Sequence, residues 1–257
     1  MKENTARFGR RLFVIGFWIL VWQLGAHAVD NHIILVGPWD TVLALGRLIP
    51  DWEFWRSIAY SFGKITLGFL SGFGAGVFLG SLGYRLTFVK DLLKPVMVFL
   101  KSIPVASFVI LALIWAGSKN LSVLISFIVV LPMIYVNTLA GLGSTDGKLL
   151  EMAKVFRMSA VRKIRYIYVP ALLPYLKSGC RIALGMSWKS GVAAEVIGVP
   201  DHSIGEKLYM AKIYLNTADV LAWTLVIILV SALVERAVLG VLGRISFGGG
   251  AYESGGS

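Results

Sequence analysis

Residues 142–177 read LGSTDGKLLEMAKVFRMSAVRKIRYIYVPALLPYLK, the longest hydrophilic interval of a strongly apolar chain. The apolar runs on either side are long enough to cross a bilayer, so we expect this stretch to be a loop held at a membrane face. Apolar residues recur at helical spacing up to Phe156, and a second helical pattern runs from Val161 to Tyr168. The loop is therefore predicted to form two short helices with a corner at residues 157–159.

Local chemistry predicts where the second helix of this loop begins and ends. Ser159 can N-cap it, because its hydroxyl can accept a hydrogen bond from a backbone N–H two or three residues on. Pro170 is expected to end it, since proline lacks an N–H and restricts the residue before it.

Basic side chains are concentrated in this loop: Lys148, Lys154, Arg157, Arg162, Lys163, Arg165 and Lys177. One interpretation is a basic cytoplasmic loop that lies near anionic lipid. The other is a docking element for a cytoplasmic partner, which would also bury the apolar side chains of both helices.

The composition places the whole chain in a membrane. Of its 257 residues 57% are hydrophobic, whereas soluble domains contain about 45–50% apolar residues. A chain of this length forms one bundle with no room for a nucleotide-binding domain. The net charge of +11 is better explained by basic loops retained in the cytoplasm than by nucleic-acid binding. The single cysteine, Cys180, is interpreted as a small packing residue.

Hydropathy divides the chain into a basic N-terminal tail (1–11), a membrane domain (12–244) and a flexible Gly/Ser-rich C-terminal tail (245–257). Six spans are predicted: 12–29, 58–82, 95–115, 121–140, 178–199 and 217–241. Lys and Arg are concentrated in the N-terminal tail, the 84–94 loop, the 142–177 loop and the C-terminal end, which predicts that both termini are cytoplasmic. Pro38 opens a short amphipathic helix expected on the outer surface, and residues 116–120 form a tight outer turn.

The second span contains a stripe of small residues. Gly68, Gly72, Gly76 and Gly80 recur every four residues and therefore share one helix face. Such a stripe predicts close helix packing, because the bilayer supplies no hydrophobic drive between helices. Lys64 lies one turn before the stripe and either snorkels to the outer interface or faces a cavity.

The fifth span carries embedded charges. Arg181, Trp188 and Glu195 share a face with Gly185 and Val192, and Lys189 lies about halfway along the span. Charges within a membrane usually face a bundle interior or an aqueous cavity, although Arg181 and Glu195 could also snorkel from opposite ends. We take Arg181, Trp188, Lys189 and Glu195 as candidates for a translocation path, with an acid of a second subunit as a possible partner of Lys189.

No catalytic constellation is visible in the sequence. It contains no phosphate-binding loop of the G-x-x-x-x-G-K-[ST] form. His202 has no partners at metal-ligand spacing, and no Cys/His cluster occurs. We expect no enzyme activity, metal or cofactor in this chain itself.

Two motifs carry a resemblance to a known family. Glu151-x-Ala153, followed by Ser159 and Val169-Pro170, resembles the "EAA" coupling loop of binding-protein-dependent ABC importer permeases. Residues 185–195, GMSWKSGVAAE, are similar to the nitrate, sulfonate, taurine and bicarbonate branch. The similarity covers roughly residues 12–244. Two positions depart from the pattern: Met152 replaces the motif's first alanine, and Arg157 replaces the usual glycine of the corner. Because arginine does not easily take positive φ, a less sharp corner is expected here.

The resemblance implies an all-α permease with six transmembrane helices of the type I ABC importer kind and a cytoplasmic two-helix coupling loop. It implies three partners: a separate ATPase that holds ATP and Mg²⁺, an extracytoplasmic binding protein, and a second permease copy, with a homodimer expected and a heterodimer left open. It implies these ATPase-coupling residues: Glu151, Ala153, Phe156, Arg157, Ser159, Val161 and Pro170. The solute would be small, such as nitrate, a sulfonate or taurine. The alternative class is a stand-alone secondary transporter or channel driven by an ion gradient, with a membrane-embedded enzyme a weaker third option.

Overall fold

Residues 2–29, 31 and 33–247 are described by the structure, which is a computed structural model. Every regular element in these residues is helical. The α-helices in chain order are α1 Lys2–Val29, α2 Pro38–Leu48, α3 Trp52–Arg85, α4 Thr87–Ser102, α5 Val105–Gly143, α6 Gly147–Val155, α7 Ala160–Lys163, α8 Val169–Gly198, α9 Ile204–Ile213 and α10 Thr217–Phe247. A π-helical segment, Ile164–Tyr168, joins α7 to α8.

Three of these helices, α3, α5 and α10, are long and apolar enough to cross a membrane. The apolar part of α1, Phe13–Val29, is shorter, and α8 carries the charged residues already named. The predicted all-α membrane class is confirmed. The count of six spans stays a prediction.

The centre of the bundle is α5, which packs along α3 on one side and along α8 on the other. Ile65, Ile134, Leu184 and Trp188 belong to one buried cluster that joins these helices, and Trp223 adds α10 to it. Cys180 is also fully buried in this cluster, as expected of a packing residue. The centre of the described part is therefore a dry, well-packed core.

The glycine stripe of α3 lies against the part of α5 that follows Gly117. Gly68, Gly72, Gly76 and Gly80 are all buried. A Cβ built on Gly68 would lie 2.5 Å from the Val123 carbonyl oxygen. Each of the other three would have a backbone carbonyl oxygen of α5 within 3.0 Å. The two backbones approach so closely that no side chain fits between them, which is the geometry that small-residue stripes permit.

A sharp corner at Gly117 divides α5 into two arms, residues 105–116 and 118–143. Gly117 has φ 66° and ψ 170°, a backbone conformation open to glycine because it has no Cβ. The corner lies inside the turn predicted for residues 116–120. The predicted third span, residues 95–115, is not one continuous helix. The chain leaves the helix between Ser102 and Val105, so this region consists of α4 and the first arm of α5.

Helices extend into several segments that were predicted to lie outside the membrane spans. The basic loop predicted for residues 84–94 is mostly α4, since only Leu86 leaves the helical conformation between α3 and α4. Residues 200–216, between the predicted fifth and sixth spans, contain α9. The N-terminal tail is part of α1. Residues 245–247 of the predicted flexible tail belong to α10, and the rest of that tail lies outside the described residues.

The peripheral helices leave large apolar side chains exposed. Most described side chains of α1 between Phe13 and Val29 are exposed, and few side chains of α10 are fully buried. The predicted amphipathic helix is confirmed as α2, which buries Thr41 and Ala44 and packs against α10 and α1. Exposed apolar helix faces of this extent are typical of a bundle surrounded by lipid or by further subunits.

Candidate functional site

The polar loop folds as a compact unit, residues 146–168, which we call the knob. Asp146 N-caps α6, because its side chain accepts a hydrogen bond from the Lys148 N–H at 2.9 Å. The knob then turns at Arg157 and continues through α7 and the π-helical segment into α8. Since α5 extends to Gly143 and α8 begins at Val169, the knob is shorter than the predicted 142–177 loop.

Arg157 forms a sharp corner at the end of α6. It has φ 48°, in the left-handed region that L residues rarely adopt. The Arg157 N–H donates to the Lys154 oxygen at 3.0 Å, and the Met158 N–H donates to the Ala153 oxygen at 2.9 Å. These two bonds form a Schellman motif, whose C′ residue is left-handed and usually glycine. The expectation that arginine would blunt the corner is therefore wrong, because the two bonds hold the strained conformation in place.

The second half of the knob differs from its prediction at both ends. Ser159 stands at the N-cap position of α7, but its side chain makes no capping hydrogen bond. Pro170 does not end the helix. In the π-helical segment the Val169 N–H donates to the Ile164 oxygen, five residues back. This register change leaves Pro170 in the first turn of α8, where a missing N–H is tolerated.

Apolar side chains lie exposed on the knob. Phe156 is 72% exposed and Val161 is 74% exposed, on the two sides of the corner. Val155, beside Phe156, is exposed as well, and the sequence-based site did not include it. Glu151 is exposed on α6, next to this surface. We call Val155, Phe156 and Val161 the apolar surface of the knob.

Ala153 does not belong to that surface, contrary to the prediction. It is 0% exposed, because the Schellman turn folds back over it and its carbonyl accepts the Met158 N–H. The Ala153 side chain is therefore packed inside the knob and not presented on its surface.

Exchanging Arg157 for glycine tests the strain at the corner. We expect Arg157→Gly to stabilise the closed corner by about 1 kcal/mol, because glycine adopts positive φ without a Cβ clash. Hydrogen exchange of the Met158 amide should slow about fivefold, as 1.4 kcal/mol corresponds to about tenfold. The matched control is Arg162→Gly, which removes an exposed arginine from a right-handed helix and should weaken α7 by about 1 kcal/mol. Faster exchange in Arg157→Gly would show instead that the arginine side chain makes a contact of its own.

The four residues of α8 predicted to line a translocation path lie in different environments. Arg181 is exposed, and its Nε lies 3.4 Å from the Glu235 Oε1 of α10. Trp188 is buried in the core beside Phe62, with ring centroids 6.5 Å apart. Lys189 is exposed and has no hydrogen bond or ion pair within the part of the chain that the structure describes. Of the four candidates, only Arg181 and Lys189 are exposed. Glu235 was missed because its pairing with Arg181 depends on how α8 and α10 meet.

Glu195 is fully buried where α3, α8 and α9 meet. Its Oε2 accepts a hydrogen bond from the Ser61 hydroxyl at 2.6 Å and a longer one from the Gly205 N–H at 3.4 Å. The Ser61 oxygen in turn accepts from the Ile204 N–H at 2.9 Å. The Glu195 carboxyl group therefore connects α9 to α3 and α8, and it is not exposed to a solute path.

Neither Ser61 nor Gly205 was identified from the sequence. Gly205 is required at this contact because any Cβ there would overlap Glu195. Two of the five residues between α8 and α9 are also strained, with φ 45° at Val199 and φ 59° at His202. For a β-branched residue such as Val199 this is a genuine outlier. No local pattern in the sequence marks this junction, because burial and positive φ both follow from tertiary packing.

Polar contacts also connect the helices at the end of the bundle opposite to the knob. Lys64 Nζ donates to Asn120 Oδ1 at 2.9 Å, so this lysine contacts the turn of α5. His202 Nδ1 lies 3.1 Å from Glu53 Oε2, and Lys207 Nζ lies 3.6 Å from the same oxygen. No group of three His, Cys, Asp or Glu side chains within the described ranges could hold a metal ion.

Long apolar helices packed through glycines, with one polar knob between two of them, define a polytopic membrane component of a transport system. The chain belongs to the family of binding-protein-dependent transport system inner membrane components, whose pattern covers residues 72–245. It is 28% identical over 242 residues to the putative aliphatic sulfonates transport permease protein SsuC of Bacillus subtilis (strain 168), which covers 92% of this chain and 87% of that protein.

Two further relatives carry other solute names. The taurine transport system permease protein TauC of Escherichia coli (strain K12) is 26% identical over 252 residues, or 95% of this chain and 90% of its own length. The nitrate import permease protein NrtB of Leptolyngbya laminosa is 28% identical over 193 residues, or 71% of this chain and 69% of its own length. The resemblance to the nitrate, sulfonate and taurine branch is confirmed.

Proposed function

We propose that this chain is the permease subunit of an ATP-driven importer and that its knob docks on a separate ATPase. The observation that carries the proposal is the apolar surface of the knob. Val155, Phe156 and Val161 are exposed on a loop rich in Lys and Arg, and exposed apolar groups in such a setting usually mark an interface. Glu151 lies beside this surface and would pair with a basic group of the ATPase.

ATP and Mg²⁺ would be held by the ATPase and not by this chain. Two permease copies would form a two-fold dimer, so that each copy places its knob on one ATPase subunit. Closure of the ATPase dimer on ATP would then move the knobs, and the glycine-packed bundle would transmit that movement as rigid-body rocking. An extracytoplasmic binding protein would deliver the solute to the opposite end.

The knob lies on the cytoplasmic side in this proposal, as do both termini of the chain. The support is the distribution of Lys and Arg, which favours cytoplasmic segments. The solute is a small organic acid or oxyanion, in line with the sulfonate, taurine and nitrate names of the relatives.

Uptake by reconstituted vesicles separates this proposal from a secondary transporter. The wild-type chain would be reconstituted with its ATPase, with the binding protein outside and ATP inside, and uptake of taurine, an alkanesulfonate or nitrate would be measured. We expect uptake that requires both ATP and the binding protein. Uptake driven by a proton or sodium gradient without the ATPase would overturn the proposal in favour of the alternative class.

Lys189 is proposed to line the path of the solute. It is exposed on α8 and has no described partner, so its charge is available to an anion. Lys189→Ala should lower uptake about tenfold, because one hydrogen bond to a charged group contributes about 1.5 kcal/mol. ATPase binding should not change. Lys212→Ala, which removes an exposed lysine from α9, is the control. Equal uptake by Lys189→Ala and wild type would show that Lys189 merely extends to the membrane interface.

A further inference from the structure

A groove separates α4 from the second arm of α5. Its volume is about 210 Å³, and its lining includes Lys90, Lys94, Lys101, Met97, Tyr135 and Leu139. Lys90 and Lys94 are four residues apart and Lys101 follows seven residues later, so all three lie along one face of α4. The groove therefore combines three cationic side chains with an apolar floor.

The charges in the groove are not neutralised within the described part of the chain. The side chains of Lys90, Lys94 and Lys101 make no hydrogen bond or ion pair there. Asp91 lies beside Lys90 and makes no ion pair among the described residues, and its charge acts on Tyr135 at the side of the groove. The three lysines still leave the groove with an excess of positive charge. Three cations beside apolar side chains are complementary to a ligand that has a negative group and an apolar portion.

Tyr135 closes the groove on the side of α5. It lines the groove and is only 3% exposed. Its hydroxyl is buried and has no hydrogen-bond partner among the described residues. A hydroxyl so deeply buried is out of reach of the groove, so Tyr135 contributes its ring to the apolar floor.

We propose that this groove binds one anionic phospholipid, with its phosphate at Lys90 and Lys94 and an acyl chain along Met97 and Leu139. A small anion is a poorer fit, because Lys90 and Lys101 are separated by about 16 Å along the helix axis. Side chains on a helix tilt toward its N-terminus, so the Lys101 ammonium snorkels toward the headgroup end. Basic pockets between helices on the cytoplasmic side bind anionic headgroups in this way.

The proposal depends on the membrane orientation given under Proposed function, in which the α3–α4 corner is cytoplasmic. It does not depend on docking of the ATPase. Lipid binding measured on the purified permease alone therefore tests the groove, whether or not the knob docks on an ATPase.

Titration with defined lipids tests the groove. Phosphatidylglycerol or phosphatidylcholine would be added to the delipidated, detergent-solubilised chain, and one-to-one adducts counted by native mass spectrometry. We expect phosphatidylglycerol to bind more tightly than phosphatidylcholine. The double variant Lys90→Ala/Lys94→Ala should bind phosphatidylglycerol about thirtyfold more weakly, since each lysine near an anionic headgroup contributes about fivefold. Lys90→Arg/Lys94→Arg should retain binding.

The control is Lys119→Ala/Lys212→Ala, which removes the same charge from the opposite end of the bundle and should bind phosphatidylglycerol like wild type. Inorganic phosphate at 10 mM, which is roughly a hundredfold excess over the lipid, should not displace the adduct. Equal affinity of the double variant and wild type would overturn the proposal, as would equal binding of phosphatidylcholine or displacement by phosphate. A change in oligomeric mass of the double variant would also overturn it, because the groove would then be a subunit interface.

Discussion

Replacing both Phe156 and Val161 with aspartate should release the ATPase from this chain and abolish ATP-driven uptake. Both side chains belong to the apolar surface of the knob, on the two sides of the Arg157 corner. Central apolar contacts in an interface often contribute about 2 kcal/mol each. The loss of both therefore corresponds to roughly a thousandfold weaker association.

The measurement is co-purification of the ATPase with the permease, followed by solute-stimulated ATP hydrolysis in vesicles. The helical bundle should remain folded, because neither side chain packs into it. Tyr214→Asp is a matched control: Tyr214 is 77% exposed and lies at the α9–α10 junction, far from the knob. An ATPase that stays bound and coupled to the double variant would remove the basis for the docking proposal.

Gly76→Leu should destabilise the bundle by about 3 kcal/mol, at the upper end of the usual overpacking range. A Cβ at this position would lie 2.8 Å from the Ile134 Cβ and 3.0 Å from the Leu131 carbonyl oxygen. Neither atom is the flexible end of a side chain, so α3 and α5 would have to separate. Since α5 also packs along α8, the disturbance would reach the centre of the bundle.

Thermal unfolding in detergent would measure this effect, with an expected fall in Tm of about 10 °C. Gly74→Leu provides the control on the same helix, because no heavy atom lies within 4 Å of a Cβ built there. That variant should stay within about 0.5 kcal/mol of wild type. Equal melting temperatures for the two variants would mean that α3 and α5 do not approach each other as described.

Periodic features of the sequence were predicted well, because helical periodicity is local. The apolar runs predicted the helices, and glycines four residues apart predicted a face that permits close packing. The corner of the knob was placed correctly at residues 157–159. The sharpness of this corner was predicted wrongly. The two hydrogen bonds of the Schellman turn outweigh the preference of arginine for negative φ.

Helix ends were predicted less well, since each local signal competes with tertiary packing. Pro170 signals a helix end in the sequence, yet the preceding π-helical segment allows the chain to continue into α8. Ser159 occupies the N-cap position without making the capping bond. In both places the backbone follows the direction that α8 needs in order to pack against α5.

The sequence by itself determined the membrane class, the helical architecture, the glycine-packed face and the loop that became the knob. Only the tertiary structure decided which charged or small residues are accessible. It buried Glu195 against Ser61, 134 residues away in the chain, paired Arg181 with Glu235 and closed the corner over Ala153. The physical reason is that periodicity assigns a residue to a helix face, whereas burial depends on which helix covers that face. That choice is made by packing between distant segments, which no local pattern encodes.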